Sequence, residues 1–367
     1  MVRARMLLAG ILACVAVVLI TILLTQASRH QVSAKILFSC VRFLNREERT
    51  HCYERTVYDL YPMYNVHELF LAIRTLQKYD MTLVPCHFLA HRLAAAVVAQ
   101  DPARWSEQMI SEETNSMCSF GYTHGIAIAK FKGAGDSSEN IVAKVMPDLI
   151  EMCDKGRASA RARNNCFHGL GHIFYYLTNG DIAYGLALCD QSVDRHSGDY
   201  EKSRIRCYAG VFMKLFFLTP DDDEPDPHLL DKRTASAFCD SLREIRFVQE
   251  CKRSSWILYK DELIHKEAVY RFCKDMVTTN DMDLCFARVF RGLAWDMVGH
   301  LNTFVPLCEE FKGVGSRYGE CYTAGALEYA LTAGGTYGMQ GARQFCNRTN
   351  GDARNACMQS LETLSSE

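Results

Sequence analysis

The number and spacing of the cysteines most restrict how this chain can fold. Of the 17 cysteines in 367 residues, Cys14 lies in an N-terminal apolar run and the other sixteen lie downstream of it. These sixteen mostly alternate between a cysteine near the end of one apolar helical segment and a cysteine that opens the next segment. An even number is what a fully disulfide-bonded domain requires, so the sequence predicts an oxidised, cross-linked fold.

Two pairing schemes are compatible with this order. One scheme joins each helix-ending cysteine to the next helix-opening one, and the other closes each helical hairpin on itself, as in Cys166 with Cys189. We favour the first scheme because its loops are nearly constant in length and no cysteine is left over. Its pairs are Cys40–Cys52, Cys86–Cys118, Cys153–Cys166, Cys189–Cys207, Cys239–Cys251, Cys273–Cys285, Cys308–Cys321 and Cys346–Cys357.

The apolar segments between the cysteines repeat as pairs of helices. A small residue often stands three positions after a helix-opening cysteine, as Gly121 does after Cys118 and Gly210 after Cys207. Two helices and two turns in roughly 35–45 residues are typical of an α-solenoid, and strand patterns are scarce. This layout resembles that of Sel1-like and tetratricopeptide repeats. The sequence therefore predicts an all-α, disulfide-stapled array of helical hairpins.

The N-terminus predicts attachment to a membrane. An uncharged apolar run covers residues 6–25 after Arg3 and Arg5, which is long enough for a helix to span a bilayer. Cleavage after Ala27 is the alternative, because small residues precede that site. We expect a cytoplasmic tip and transmembrane signal-anchor over 1–27, a helical cap over 28–85 and a cysteine-rich repeat domain over 86–367. This predicts a single-pass membrane protein whose C-terminal domain faces the periplasm, a secretory lumen or the cell exterior.

Charge and motifs exclude several classes of function. A net charge of -2 offers no electrostatic attraction for nucleic acid, so we expect no such partner. The chain also lacks a nucleophile elbow, a phosphate-binding loop and a dinucleotide fingerprint.

Histidines recur on the first helices of three consecutive units. Residues four apart share one face of a helix, and neighbouring repeat helices pack about 8–10 Å apart. Several imidazoles could then meet at one zinc, copper or iron ion, with adjacent glycines allowing the helices to approach. The predicted metal ligands are His87, His91, His124, His168 and His172.

Two hypotheses of function follow from this pattern. The first is a metal-binding protein, such as a metal-dependent oxidase, in which Glu68, Asp296 or Glu328 could complete a catalytic site. The motif of zinc proteases is absent, since no glutamate follows the first histidine of either pair. The alternative is a non-catalytic scaffold that binds a protein or peptide, with histidine nitrogens satisfied by backbone carbonyls or tyrosines.

Overall fold

The structure is a computed structural model that describes most of the chain. The described residues are 31–80, 86–105, 107, 118, 121–131, 139–154, 160–193, 200–217, 228–274, 276, 278–333 and 335–366. Throughout these ranges the regular elements are helices and no strand occurs, which confirms the predicted all-α class. The chain divides into two compact units, Met1–Leu83 and Val84–Glu367.

The first unit contains three described helices: α1 over 31–40, α2 over Arg46–Leu60 and α3 over Val66–Leu76. A disulfide joins Cys40 to Cys52. Asn65 begins α3 with a capping box, in which its side chain accepts from the Glu68 amide and Glu68 accepts from the Asn65 amide. Glu68 therefore caps a helix, a role that stabilises helix ends by about 1 kcal/mol.

The second unit alternates between two sets of helices. Each opening helix carries a helix-opening cysteine or begins within three residues after one. The opening helices are α4 (His87–Gln100), α5 (Gly121–Phe131), α7 (Ala160–Leu177), α9 (Tyr200–Phe216), α11 (Ile245–Ser254), α13 (Thr279–Asp296), α15 (Arg317–Ala333) and α17 (Gly351–Ser366). The closing helices are α6 (Glu139–Asp154), α8 (Ile182–Ser192), α10 (Lys232–Ser241), α12 (Lys266–Cys273), α14 (Val305–Glu310) and α16 (Gly335–Cys346). Short 3₁₀ turns lie at Pro102–Arg104, Ser255–Tyr259 and Val298–Thr303. Each opening helix packs against the next opening helix, so the eight form a continuous row.

Polar residues set several helix starts in this unit. Asp181 accepts a hydrogen bond from the Tyr184 amide at 3.0 Å and begins α8. Asp231 caps α10 by accepting from two amides, and Thr278 caps α13. Such caps satisfy backbone donors that a helix leaves without an intrahelical partner.

Eight disulfide bonds connect the sixteen downstream cysteines. The seven in the second unit are Cys86–Cys118, Cys153–Cys166, Cys189–Cys207, Cys239–Cys251, Cys273–Cys285, Cys308–Cys321 and Cys346–Cys357. Together with Cys40–Cys52 these are the pairs of the scheme with near-constant loops, and their Cα–Cα distances of 4.9–5.7 Å are ordinary for disulfides. Six of the bridges in the second unit fasten a closing helix to the opening helix that follows it.

The membrane prediction is corrected by the helices that the structure describes. None of these helices is long and apolar enough to cross a membrane. The segment 6–25, on which the sequence placed the span, and Cys14 within it lie outside the described residues. The expected single-pass membrane location is accordingly not upheld, and we do not propose it.

Candidate functional site

The two histidine pairs lie where opening helices approach one another closely. On α5, a Cβ added at Gly125 would lie 2.6 Å from the Cα of His91 on α4, and one at Gly121 would overlap the His87 carbonyl. On α9, a Cβ added at Gly210 would overlap the carbonyl of His168 on α7. The small residue three positions after an opening cysteine is therefore needed at these contacts, because any side chain would force the helix backbones apart.

The first histidine of each pair hydrogen-bonds to the backbone of the next unit. His87 Nδ1 lies 3.0 Å from the carbonyl oxygen of Cys118, and His168 Nδ1 lies 3.2 Å from that of Arg206. Because a carbonyl oxygen only accepts, Nδ1 carries the proton in both rings and donates it. These two histidines therefore connect successive units of the row.

The tautomer of His87 determines the hydrogen bond within its pair. A neutral ring that is protonated at Nδ1 presents an unprotonated Nε2, and His91 Nε2 lies 3.1 Å from that atom. His91 consequently donates from Nε2 to His87, and the two ring centres are 4.6 Å apart. The nitrogens that would have to face a common metal ion are instead bonded to each other.

A small cavity of about 20 Å³, room for about one water molecule, lies beside this pair. Side chains from α4, α5, α7, α9 and α13, together with the residue that follows α9, form its wall. They are His87, His91, Ile128, His172, Met213, Lys214, Phe217 and Trp295. We refer to this space as the histidine–tryptophan cavity.

Trp295 lines this cavity although it is distant in sequence from the other residues of the wall. Its indole meets the His87 ring edge-on with 5.7 Å between ring centres, and it lies 6.4 Å from the Phe217 ring. Four opening helices, α5, α7, α9 and α11, come between α4 and α13 along the row. The row therefore curves enough for its first and sixth helices to share one cavity.

Lys214 is the charged residue in the cavity wall. Only 3% of it is exposed, and its Nζ lies 4.9 Å from the centre of the Tyr176 ring, a cation–π arrangement. The pKa of His172 lies well below the ordinary histidine value, mainly because the ring is buried and then because of Lys214, His91 and His87. His172 is therefore neutral near pH 7, and Lys214 provides positive charge in the wall.

Farther along the row, ion pairs join three arginines to three carboxylates. The fully buried carboxylate of Glu250 forms ion pairs with Arg288 at 2.7 Å and with Arg253 at 3.0 Å. Arg291 forms an ion pair with Glu328 at 2.7 Å. The pKa of Arg206, which lies among these groups, is lowered to about 9 by burial and then by the nearby Arg288 and Arg291. Burial is the main cause because it disfavours the charged form of the guanidinium group, and the two neighbouring arginines add to it.

The predicted catalytic carboxylates serve other purposes. Glu328 is ion-paired with Arg291, and Asp296 is bonded to Lys260 at 2.9 Å. Glu68 caps a helix in the first unit. None of these three lines the histidine–tryptophan cavity.

The prediction of a zinc, copper or iron site is wrong. Within the part of the chain that the structure describes, no group of three or more His, Cys, Asp or Glu residues could hold a metal ion. His87, His91 and His172 do come together at the cavity, whereas His168 bonds to the Arg206 carbonyl and the side chain of His124 lies outside the described residues. The reason is that imidazole nitrogens bond to carbonyls and to each other, every downstream cysteine is bridged, and the Lys214 ammonium opposes a cation.

Sequence reasoning missed Lys214 and Trp295. Lys214 is a single charge within the apolar run Val211–Phe216 of α9, a pattern that could have marked it as exceptional. Phe217, which follows α9, also lies in the wall. Nothing local distinguishes Trp295, because its role depends on contact with a helix about 200 residues earlier in the chain.

No protein-family model, curated protein or solved structure matches this chain. The fold and the site by themselves define its class: a disulfide-stapled, all-α protein whose opening helices surround a basic, aromatic-lined cavity.

Proposed function

We propose that this protein is a non-catalytic scaffold that binds an acidic protein or peptide segment along its row of opening helices. We take the row to be an α-solenoid of helical hairpins, an architecture that presents an extended surface to partners. In this proposal the histidines have structural roles, joining successive units through backbone carbonyls.

The observation that carries the proposal is the presence of five basic residues on neighbouring opening helices. Arg206, Arg253, Arg288, Arg291 and Lys214 all belong to opening helices that pack in sequence along the row. Glu250, Asp281 and Glu328 pair with three of the arginines, and the whole chain carries a net charge of -2. A cationic region on an otherwise slightly acidic protein favours an acidic partner and speeds its association.

Exposure of Arg291 supports its place on the proposed binding surface. The Arg291 side chain is 44% exposed while its partner Glu328 is 8% exposed, so the guanidinium group is within reach of a ligand. The planar guanidinium group can bind a second carboxylate through donors that Glu328 does not use.

Eight disulfide bonds support the location of this activity in an oxidising compartment. Such bonds persist in secreted proteins, secretory lumens and the bacterial periplasm. A row of helices stapled at nearly every unit also changes shape little on binding, which lowers the entropic cost of association.

The test uses the oxidised full-length protein and two fluorescein-labelled nine-residue peptides. One peptide alternates glutamate with phenylalanine, and the other has lysine in place of every glutamate. Fluorescence anisotropy should show that the acidic peptide binds at least about tenfold more tightly, and that about 500 mM salt weakens its binding.

Two variants assign the binding to the proposed surface. Arg291→Gln should weaken binding of the acidic peptide by about tenfold, because it removes a cation and exposes the charge of Glu328. Arg233→Gln is the matched control, since Arg233 is 92% exposed on closing helix α10. Equal binding of the two peptides, or equal effects of the two variants on a folded protein, would overturn the proposal.

A further inference from the structure

We propose that Asn347 is an N-glycosylation site, to which an oligosaccharide is attached while the chain around the last disulfide bond is still unfolded. Asn347, Arg348 and Thr349 form the only Asn-x-Ser/Thr sequence of the chain, the acceptor motif for this modification in secreted proteins. The disulfide bonds indicate an oxidising compartment such as a secretory lumen, where the modification takes place. Neither Asn347 nor Thr349 belongs to an opening helix, so the site is separate from the proposed binding surface.

The acceptor asparagine lies at the surface, in the connection between two helices. Helix α16 ends at Cys346 and α17 begins at Gly351. The Asn347 amide donates to the Arg343 carbonyl at 3.0 Å and so completes the last turn of α16, and Asn347 itself is exposed. A large hydrophilic group attached at this position extends into solvent and displaces no packed side chain.

The side chain of Asn347 is bonded through its oxygen rather than its nitrogen. Arg354 donates from Nε to the Asn347 Oδ1 at 3.0 Å. N-glycosylation replaces one hydrogen on Nδ2 and keeps the carbonyl oxygen, which can still accept from Arg354. The native contact of the side chain is therefore compatible with an attached oligosaccharide.

A structural role does not explain the hydroxyl group of Thr349. Only 5% of this residue is exposed, and within the part of the chain that the structure describes its buried Oγ1 has no hydrogen-bond partner. Burial of an unpaired hydroxyl costs free energy, and valine has nearly the same shape without that cost. The acceptor motif, by contrast, requires a hydroxyl at this position, two residues after the asparagine.

The donor is an oligosaccharide that is linked to a lipid diphosphate. Nδ2 of Asn347 attacks the anomeric carbon, the bond from this carbon to the diphosphate oxygen breaks, and Nδ2 loses a proton as the lipid diphosphate leaves. The transferring enzyme must contact the Thr349 hydroxyl together with the asparagine amide. Because that hydroxyl is buried in the folded protein, the transfer precedes closure of the Cys346–Cys357 bridge, whose loop contains the motif.

The test expresses the full chain, behind a secretory leader, in cultured cells that attach N-linked oligosaccharides. Chains that have formed disulfide bonds are purified, which selects those that entered the lumen, and are denatured and treated with peptide N-glycosidase. The treatment should lower the mass by an oligosaccharide and convert Asn347 to aspartate, as read by peptide mapping. Oxidised chains in which Asn347 is unmodified would overturn the proposal.

Substitutions at Thr349 separate recognition of its hydroxyl from packing. Thr349→Val should abolish the modification, whereas Thr349→Ser should retain it. Asn350→Gln is the matched control, because Asn350 is also exposed in this connection but is followed two residues later by Asp352 rather than by a hydroxyl residue. A valine variant that still carries the oligosaccharide, or a control that lacks it, contradicts the assignment of the site.

A second assay tests the order of transfer and folding. Unmodified protein, either reduced and unfolded or oxidised and folded, is incubated with purified oligosaccharyltransferase and a lipid-linked donor. The unfolded chain should accept at least about tenfold more oligosaccharide, because the folded protein exposes the Thr349 hydroxyl only on local unfolding. Equal modification of the two forms would refute the proposed order, and modification of neither form would refute the site.

Discussion

Replacement of Gly125 by alanine tests the close helix contact on which the histidine pair depends. The added Cβ would lie 2.6 Å from the Cα of His91, 2.7 Å from the Cβ of Ala94 and 2.9 Å from the His91 carbonyl oxygen. Ordinary contacts of a Cβ atom begin at 3.4 Å, so α4 and α5 would have to separate by about 0.8 Å.

The expected cost follows from three contributions. Overpacking of a close interface costs about 1–3 kcal/mol, and weakening the 3.0 Å bond from His87 to the Cys118 carbonyl costs about 1 kcal/mol more. The higher helix propensity of alanine returns about 1 kcal/mol. The net expectation is a loss of about 1–3 kcal/mol in the free energy of unfolding.

Gly185→Ala is the matched control because Gly185 is also a buried helical glycine. A Cβ at this position would meet Thr178 and Val211 at 3.6 Å, which is normal contact, so only the gain in propensity remains. This variant should be stabilised by about 0.5–1 kcal/mol.

Guanidinium denaturation of the oxidised proteins, followed by far-ultraviolet circular dichroism, measures both changes. The reasoning requires opposite signs for the two substitutions. A Gly125→Ala protein at least as stable as the original chain would refute the close approach of α4 and α5.

Three further predictions concern stability. Replacing Cys239 and Cys251 by serine should lower the free energy of unfolding by about 3 kcal/mol, because the bridge closes a 12-residue loop in the unfolded chain; a loss below about 1 kcal/mol in guanidinium denaturation would contradict this. Glu250→Gln should cost about 3–5 kcal/mol by leaving two arginines without their buried partner, whereas Glu244→Gln, at a half-exposed ion pair, should change stability by less than about 1 kcal/mol. Because the pKa of His172 is lowered in the folded protein, His172 binds a proton on unfolding below about pH 6.5. The free energy of unfolding is therefore retained above that pH. Below it, the free energy of unfolding falls by up to about 1.4 kcal/mol per pH unit until the pH reaches the folded-state pKa. Urea titrations at successive pH values should show a shallower fall for His172→Gln, and identical slopes would count against the assignment.

Much of the local structure could be predicted because it depends on neighbours in sequence. A short loop between Cys239 and Cys251 leaves few other partners for either sulfur, so regular spacing favoured the observed pairing. Gly125 was expected to allow close helix packing, and its backbone contact with His91 agrees with that expectation. The prediction of a metal site from the recurring histidines failed. Their recurrence shows that they occupy equivalent positions in the units, but it does not show which atoms their ring nitrogens face.

The sequence alone determined the helical class and the identity of the residues that share a helix face, because both follow from spacing along a few turns. Only the tertiary structure decided that the His87 proton lies on Nδ1, since the Cys118 carbonyl that accepts it belongs to another unit. The meeting of Trp295 with His87 likewise depends on the curvature of the row. The curvature is the total of the small crossing angles between neighbouring helices from α4 to α13, and side-chain volumes at each interface set these angles. It therefore cannot be predicted from any single stretch of sequence.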